Sequence, residues 1–238
     1  MTTLHHTAAG DAEPLAWAGG QVLLLGVLEG TVGLGPLGWL AGLAYAVATP
    51  VLLGGALRRS ERGVLGPADR VTLARGLLVG GVTALVAAGG PAALLVPLAA
   101  VALALDFVDG RVARRTGTAS PLGARFDMEV DAFLILVLSV RVAAEFGPWV
   151  LVVGALRYAF VAASWGLAWL RGPLPPSWAR KVVAAVQGVV LTAAASGWMP
   201  HAGVLVALAL VSLVWSFGRD IARLWRGAPA PVEGINHV

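Results

Sequence analysis

Long apolar stretches separated by short polar connections dominate this sequence. A helix needs roughly 20 mainly apolar residues to cross a bilayer, and such stretches lie near residues 15–35, 37–57, 71–89, 91–109, 128–146, 149–170, 181–198 and 202–218. The pattern therefore predicts an all-α, polytopic membrane helix bundle with about eight crossings. The first stretch is the least regular, because Glu29 interrupts its apolar run.

Composition supports a membrane protein and excludes several function classes. Apolar side chains make up 58% of the chain and charged ones 13%, whereas soluble domains are roughly 45–50% apolar and about 25% charged. The net charge is +4, but the cations are scattered between apolar stretches and form no single basic face, so we reject nucleic-acid binding. The absence of cysteine excludes disulfides, thiolate metal sites and cysteine nucleophiles.

The basic residues predict how the chain is oriented in the membrane. All but two of the seventeen Lys and Arg residues lie within residues 58–75, 111–125, 171–181 and 219–226. With eight crossings these groups share one side, which the bias of basic residues toward the cytoplasm identifies as cytoplasmic. Both termini are then cytoplasmic. The high content of Ala, Gly, Val and Arg is typical of a GC-rich bacterial genome, so we expect a bacterial inner-membrane protein.

Four aspartates lie at the cytoplasmic ends of two neighbouring apolar stretches. Asp106 and Asp109 are three residues apart, and Asp127 and Asp131 are four apart, so each pair shares one face of its helix. An ionised Asp in hydrocarbon costs at least ~2.5–3.5 kcal/mol, and four together need a counter-charge. Oxygen ligands favour Mg²⁺ or Mn²⁺, and four carboxylates on facing helices suffice for two ions. Alternatively, the cluster forms simple ion pairs with nearby arginines: Arg111, Arg114, Arg115 and Arg125.

The residues between the two aspartate pairs suggest a phosphate-bearing ligand. Gly110, Ala113 and Gly123 are small enough to let such a ligand approach the backbone, although the two glycines could instead serve helix packing. The guanidinium of Arg114 can bind phosphate. Metal ions beside a phosphate-binding arginine are typical of phosphoryl-type transfer.

These residues carry the resemblance to a known family. The spacing matches the signature of the CDP-alcohol phosphotransferase family at all eight fixed positions, Asp106-x2-Asp109-Gly110-x2-Ala113-Arg114-x8-Gly123-x3-Asp127-x3-Asp131. Upstream, residues 68–75 are similar to the family's Asn-x-Leu/Ile-Thr-x-x-Arg motif, with Asp69 in place of Asn. Lys181-x5-Gln187 resembles the start of the family's fifth core helix.

The resemblance implies a six-helix catalytic core at residues 67–226. Residues 1–66 would then form an N-terminal tail and two additional transmembrane helices, and residues 227–238 a flexible C-terminal tail. It also implies a homodimer and a metal-dependent reaction in which a CDP-linked lipid, usually CDP-diacylglycerol, transfers its phosphatidyl group to a small alcohol and releases CMP.

The resemblance further implies a role for each signature residue. Asp106, Asp109 and Asp127 would be metal ligands, and Asp131 would be both a metal ligand and the general base that takes the acceptor's proton. The remaining residues would hold the CDP moiety: Thr72, Gly110, Ala113, Arg114 and Gly123.

A second costly charge, Arg157, lies inside an apolar stretch. We expect it to line the cavity and bind an anionic acceptor together with Arg75, Arg125 and Lys181; alternatively, it pairs with Asp131 or a backbone carbonyl for structure alone. An anionic acceptor favours glycerol 3-phosphate, as in a phosphatidylglycerophosphate synthase. Inositol phosphate, serine and other polyols stay open.

Two other functions are worth weighing. A cation- or proton-coupled transporter would place acidic residues near mid-membrane, within inverted repeats that contain broken helices. This sequence keeps its aspartates at the cytoplasmic ends and shows no such halves. A catalytically silent relative of the family is the other alternative, and the intact signature argues against it.

Overall fold

The computed structural model describes residues 5–58, 66–116, 120–175 and 177–227. These residues form eight α-helices and no strand. The helices are α1 (His5–Val32), α2 (Gly35–Arg58), α3 (Pro67–Ala87), α4 (Ala92–Thr116), α5 (Pro121–Phe146), α6 (Leu151–Gly166), α7 (Trp178–Ala195) and α8 (Ala202–Arg226). Short 3-10 turns lie at Pro148–Val150 and Ala168–Arg171. The prediction of an all-α bundle is confirmed.

Six of the described helices are long and apolar enough to cross a membrane. They are α3, α7 and α8 over their full lengths, Gly35–Gly55 of α2, Ala92–Val112 of α4, and α6 together with the turn before it, Pro148–Gly166. The apolar part of α1, Ala16–Val32, is shorter. Charged residues interrupt α5 near both of its ends. The chain is therefore an integral membrane protein, while the full count of eight crossings stays a prediction.

Local signals set the starts of the two helices that carry most of the site. Pro67 opens α3, where a missing N–H costs nothing, and the Asp69 carboxylate accepts the backbone N–H of Gly66 at 2.8 Å. Ser120 caps α5 by accepting the N–H of Gly123 at 2.9 Å, and Pro121 follows it. These caps carry both helices several residues beyond the apolar stretches, which begin near residues 71 and 128.

Helix α3 occupies the centre of the bundle. It packs against α1, α2, α4 and α5, and its buried side chains include Val79, Val82 and Leu85. Helices α5 and α6 also cross closely, because Gly154 of α6 lies against the backbone of α5. A Cβ at Gly154 would lie 2.5 Å from Leu136 Cα. Small residues at such crossings are typical of membrane bundles.

The two helices before α3 pack against each other and against α3; we call α1 and α2 the N-terminal hairpin. Gln21 of α1 is 2% exposed, and its amide lies directly over Gly80 of α3, where any Cβ would overlap it. Leu25 of α1 similarly covers Gly42 of α2. The hairpin therefore supports α3 on one side, while α4 and α5 pack against other parts of its surface. The proposed division at residues 66 and 226 coincides with helix bounds but stays a prediction, and residues 228–238 lie outside the described part.

Candidate active site

Three aspartates from two helices come together at one end of the bundle. Asp106 lies near the C-terminal end of α4, and Asp127 and Asp131 lie in the first turns of α5. One carboxylate oxygen from each lies within 4.8 Å of the others, and the side chains are 34–35% exposed. We call these three residues the acidic cluster. The side chain of the fourth predicted ligand, Asp109, lies outside the described part of the structure.

Arg75 of α3 supplies positive charge to the acidic cluster. Its Nη1 lies 3.2 Å from Asp106 Oδ1 and also contacts Asp127 Oδ1, while its Nη2 contacts Asp131 Oδ1. The Arg75 side chain is 1% exposed. Pairing with three carboxylates compensates the large cost of removing a guanidinium from water. The sequence predicts an acceptor-binding role for Arg75, and its contacts with the acidic cluster are apparent only from the structure.

Thr72 lies one turn before Arg75 on α3. Its side chain is buried, and its hydroxyl donates a hydrogen bond to the Ala68 carbonyl at 3.3 Å. The Thr-x-x-Arg spacing explains this arrangement, since residues three apart lie on the same side of a helix. That spacing predicts only that Thr72 and Arg75 share a face of α3, and it does not predict that this face meets the aspartates.

Gly123 allows the start of α5 to lie against the start of α3. A Cβ at Gly123 would overlap the Asp69 Oδ1 atom and lie 3.1 Å from Ser120 Oγ. Asp69 is buried and uses its other carboxylate oxygen to cap α3. The family resemblance predicts that Gly123 holds the CDP moiety, and its contact with Asp69 is apparent only from the structure. This contact fixes how closely the helices bearing Arg75 and Asp127 approach each other.

Arg157 of α6 forms an ion pair with α5 away from the helix face of Asp127 and Asp131, because residues two apart point in different directions. Its Nη2 pairs with Glu129, and its Nη1 donates to Met128 Sδ at 2.9 Å. The Arg157 side chain is 28% exposed. Neither structural partner considered from the sequence, Asp131 or a backbone carbonyl, is the one found. Glu129 lies between Asp127 and Asp131 in the sequence. The residues around Glu129 do not predict its pairing with Arg157.

The remaining predicted cations lie at helix starts. Arg125 is in the first turns of α5 and Lys181 in the first turn of α7, and both are exposed. Within the described part of the chain, neither forms an ion pair. Next to Lys181, Arg180 is held by Asp220 of α8 at 3.2 Å. Gly110 lies on α4, whereas the side chains of Ala113 and Arg114 are outside the described part.

Comparison with protein families indicates the type of reaction that this site catalyses. The family model for CDP-alcohol phosphatidyltransferases matches residues 67–215. The chain belongs to the CDP-alcohol phosphatidyltransferase family. No curated protein and no solved structure matches the chain significantly. The matched segment begins at the first residue of α3 and ends within α8, so it includes Arg75 and the acidic cluster and leaves the N-terminal hairpin outside.

Membership establishes a transferase of phospholipid biosynthesis that acts on a CDP-linked lipid and an alcohol. The family is generally dependent on a divalent metal ion, and the acidic cluster of this phosphatidyltransferase fits one. Carboxylate oxygens are the ligands that Mg²⁺ and Mn²⁺ prefer, and the three oxygens are close enough to share an ion. Because Arg75 contacts the same three carboxylates, a bound cation and the guanidinium would have to share or compete for them.

Proposed function

We propose that this phosphatidyltransferase moves the phosphatidyl group of CDP-diacylglycerol to glycerol 3-phosphate and releases CMP. The observation that carries this proposal is the acidic cluster around Arg75, built from the residues of the family signature. The enzyme would lie in a bacterial inner membrane as a homodimer, with its active site and both termini in the cytoplasm.

The signature residues would divide the work of binding. Asp106, Asp109, Asp127 and Asp131 would hold one or two Mg²⁺ or Mn²⁺ ions. Such an ion supplies charge neutralisation for the pyrophosphate of the donor. Five residues would hold the CDP moiety: Thr72, Gly110, Ala113, Arg114 and Gly123. A Cβ at Gly123 would overlap Asp69, so no side chain fits at this position. We therefore expect the backbone of Gly123 to contact the donor.

Asp131 would act as the general base. The acceptor oxygen attacks the phosphorus that carries the diacylglycerol, the bond from that phosphorus to the CMP oxygen breaks, and the acceptor's proton passes to the Asp131 carboxylate. The Arg75 guanidinium contacts this carboxylate and so fixes its orientation toward the site.

Exposed and partly exposed cations on α5, α6 and α7 support an anionic acceptor. Arg125 and Lys181 are exposed and unpaired within the described residues, and Arg157 is partly exposed. A phosphate-bearing acceptor would have to draw Arg157 away from Glu129. Alternatively, it would bind the guanidinium N–H groups of Arg157 that Glu129 does not occupy. Arg75 would face the acceptor from the floor of the site.

The test is CMP release by the purified protein with CDP-diacylglycerol and Mg²⁺ or Mn²⁺. Glycerol 3-phosphate, inositol phosphate, inositol and serine are compared as acceptors, with Asp127→Ala as the inactive control. We expect release with glycerol 3-phosphate only. Release with another acceptor would replace glycerol 3-phosphate in the proposal, and no release with any of them would refute it.

A further inference from the structure

One aromatic side chain of the N-terminal hairpin lies between two helices of the active site. The ring of Tyr45, on α2, stacks on Phe133 of α5 with 5.3 Å between ring centroids and 29° between planes. Its hydroxyl faces α3 at Gly76, where an added Cβ would lie 3.5 Å from the hydroxyl oxygen. Tyr45 therefore contacts both of the helices that are joined by the pairs of Arg75 with α5.

These contacts lie within one helical turn of Arg75 and of Asp131 along the chain. Gly76 follows Arg75 in the chain, and Phe133 is two residues beyond Asp131. A change at Tyr45 would therefore alter the packing of α3 next to Arg75 and of α5 near Asp131.

Two close contacts anchor the hairpin on α3, and both lie beyond Gly76 toward the C-terminal end of α3. Toward the far end, the amide of Gln21 sits over Gly80. Gly38 of α2 lies close enough to α3 that a Cβ there would be 3.1 Å from the Ala84 carbonyl oxygen. These close contacts limit how far the hairpin can slide along α3, because the interior is close-packed and neighbouring atoms would have to move.

We propose that Tyr45 is a positioning residue whose ring sets the spacing of α3 and α5 at the acidic cluster, and so couples the N-terminal hairpin to cation binding and catalysis. Metal-ligating oxygens must be held to within about 0.5 Å of their working positions, and loss of an aromatic ring lets the surrounding helices relax into the space. This inference rests on the proposed function for its catalytic part only.

The test compares Tyr45→Ala, Tyr45→Phe and Tyr45→Leu with Leu40→Ala as a matched control. Leu40 lies on the same helix but is 67% exposed. Mn²⁺ binding to the metal-free protein is measured by electron paramagnetic resonance of free Mn²⁺, and CMP release gives kcat and KM for each substrate. We expect Tyr45→Ala to weaken Mn²⁺ binding about tenfold and to lower kcat about 10- to 100-fold. Tyr45→Phe, which keeps the ring, should retain most of the affinity, and Leu40→Ala should match the wild type.

Each outcome decides the proposal. A folded Tyr45→Ala protein with wild-type Mn²⁺ affinity and kcat would overturn it, as would a wild-type protein that binds no Mn²⁺. If Tyr45→Ala does not fold, Tyr45→Leu fills much of the space without the aromatic stack, and its Mn²⁺ affinity relative to Leu40→Ala decides in the same way. If the wild type releases no CMP but Tyr45→Ala still weakens Mn²⁺ binding, the positioning role stands and the proposed function fails.

Discussion

Replacing Arg75 by methionine tests whether this residue and a divalent cation neutralise the same carboxylates. Methionine keeps much of the side-chain volume but removes the charge. Deleting one partner of a fully buried ion pair costs ~3–5 kcal/mol, and exposed pairs contribute about 0–1 kcal/mol. Arg75 is 1% exposed while its carboxylate partners are 34–35% exposed. We therefore expect a loss of about 1–4 kcal/mol of stability without metal, between those two limits.

Added cation should recover much of this loss in the variant. With Arg75 gone, the acidic cluster keeps its negative charge and loses its competitor, so Mn²⁺ should bind more tightly. A ligand at 100 times its Kd stabilises a protein by about 2.7 kcal/mol. Thermal unfolding in detergent, followed in EDTA and across a Mn²⁺ titration, measures both effects. The midpoint of Arg75→Met should rise further with Mn²⁺ than that of the wild type.

Arg157→Met is the matched control for this experiment. It also removes a guanidinium that is paired to α5, but its partner is Glu129, outside the acidic cluster. Its response to Mn²⁺ should equal that of the wild type. The reasoning is refuted if Arg75→Met is as stable as the wild type in EDTA, or if Mn²⁺ raises the midpoints of the wild type and both variants equally.

Three other substitutions test separate parts of the structure. Gly154→Ala would place a Cβ 2.5 Å from Leu136 Cα, and because backbone must move, it should cost about 1–3 kcal/mol; an unchanged unfolding midpoint would contradict this. Asp131→Asn should leave binding of CDP-diacylglycerol nearly intact and abolish CMP release, and near-normal turnover would remove Asp131 from the base role. Arg157→Ala should raise the acceptor KM far more than the donor KM, whereas equal changes would assign the residue to structure alone.

The helices of this phosphatidyltransferase were predictable because a bilayer leaves the backbone few choices. Without water in the hydrocarbon region, every N–H and C=O must be satisfied within the chain, so long apolar stretches become helices. Hydropathy could not predict where α3 and α5 begin. Their starts are fixed by Pro67 and by the Ser120 cap, which act beyond the apolar stretches.

Part of the acidic cluster was also present in the sequence itself. Helical spacing of three and four residues puts each aspartate pair on one face, and because α5 follows α4 in the chain, the end of α4 and the start of α5 lie at the same end of the bundle. Oxygen-rich, cysteine-free chemistry then favours a hard cation. These inferences need only local geometry and charge.

Tertiary packing decided which side chain from elsewhere in the chain meets each of these residues. Arg75 lies 31 residues before Asp106. The residues around Arg75 do not predict that α3 packs beside the aspartates. The pairing of Arg157 with Glu129 and the stacking of Tyr45 on Phe133 depend equally on how helices approach each other. Those approaches are set by close contacts at single glycines. Such contacts depend on the fit between two helix surfaces, so neither sequence segment predicts them alone.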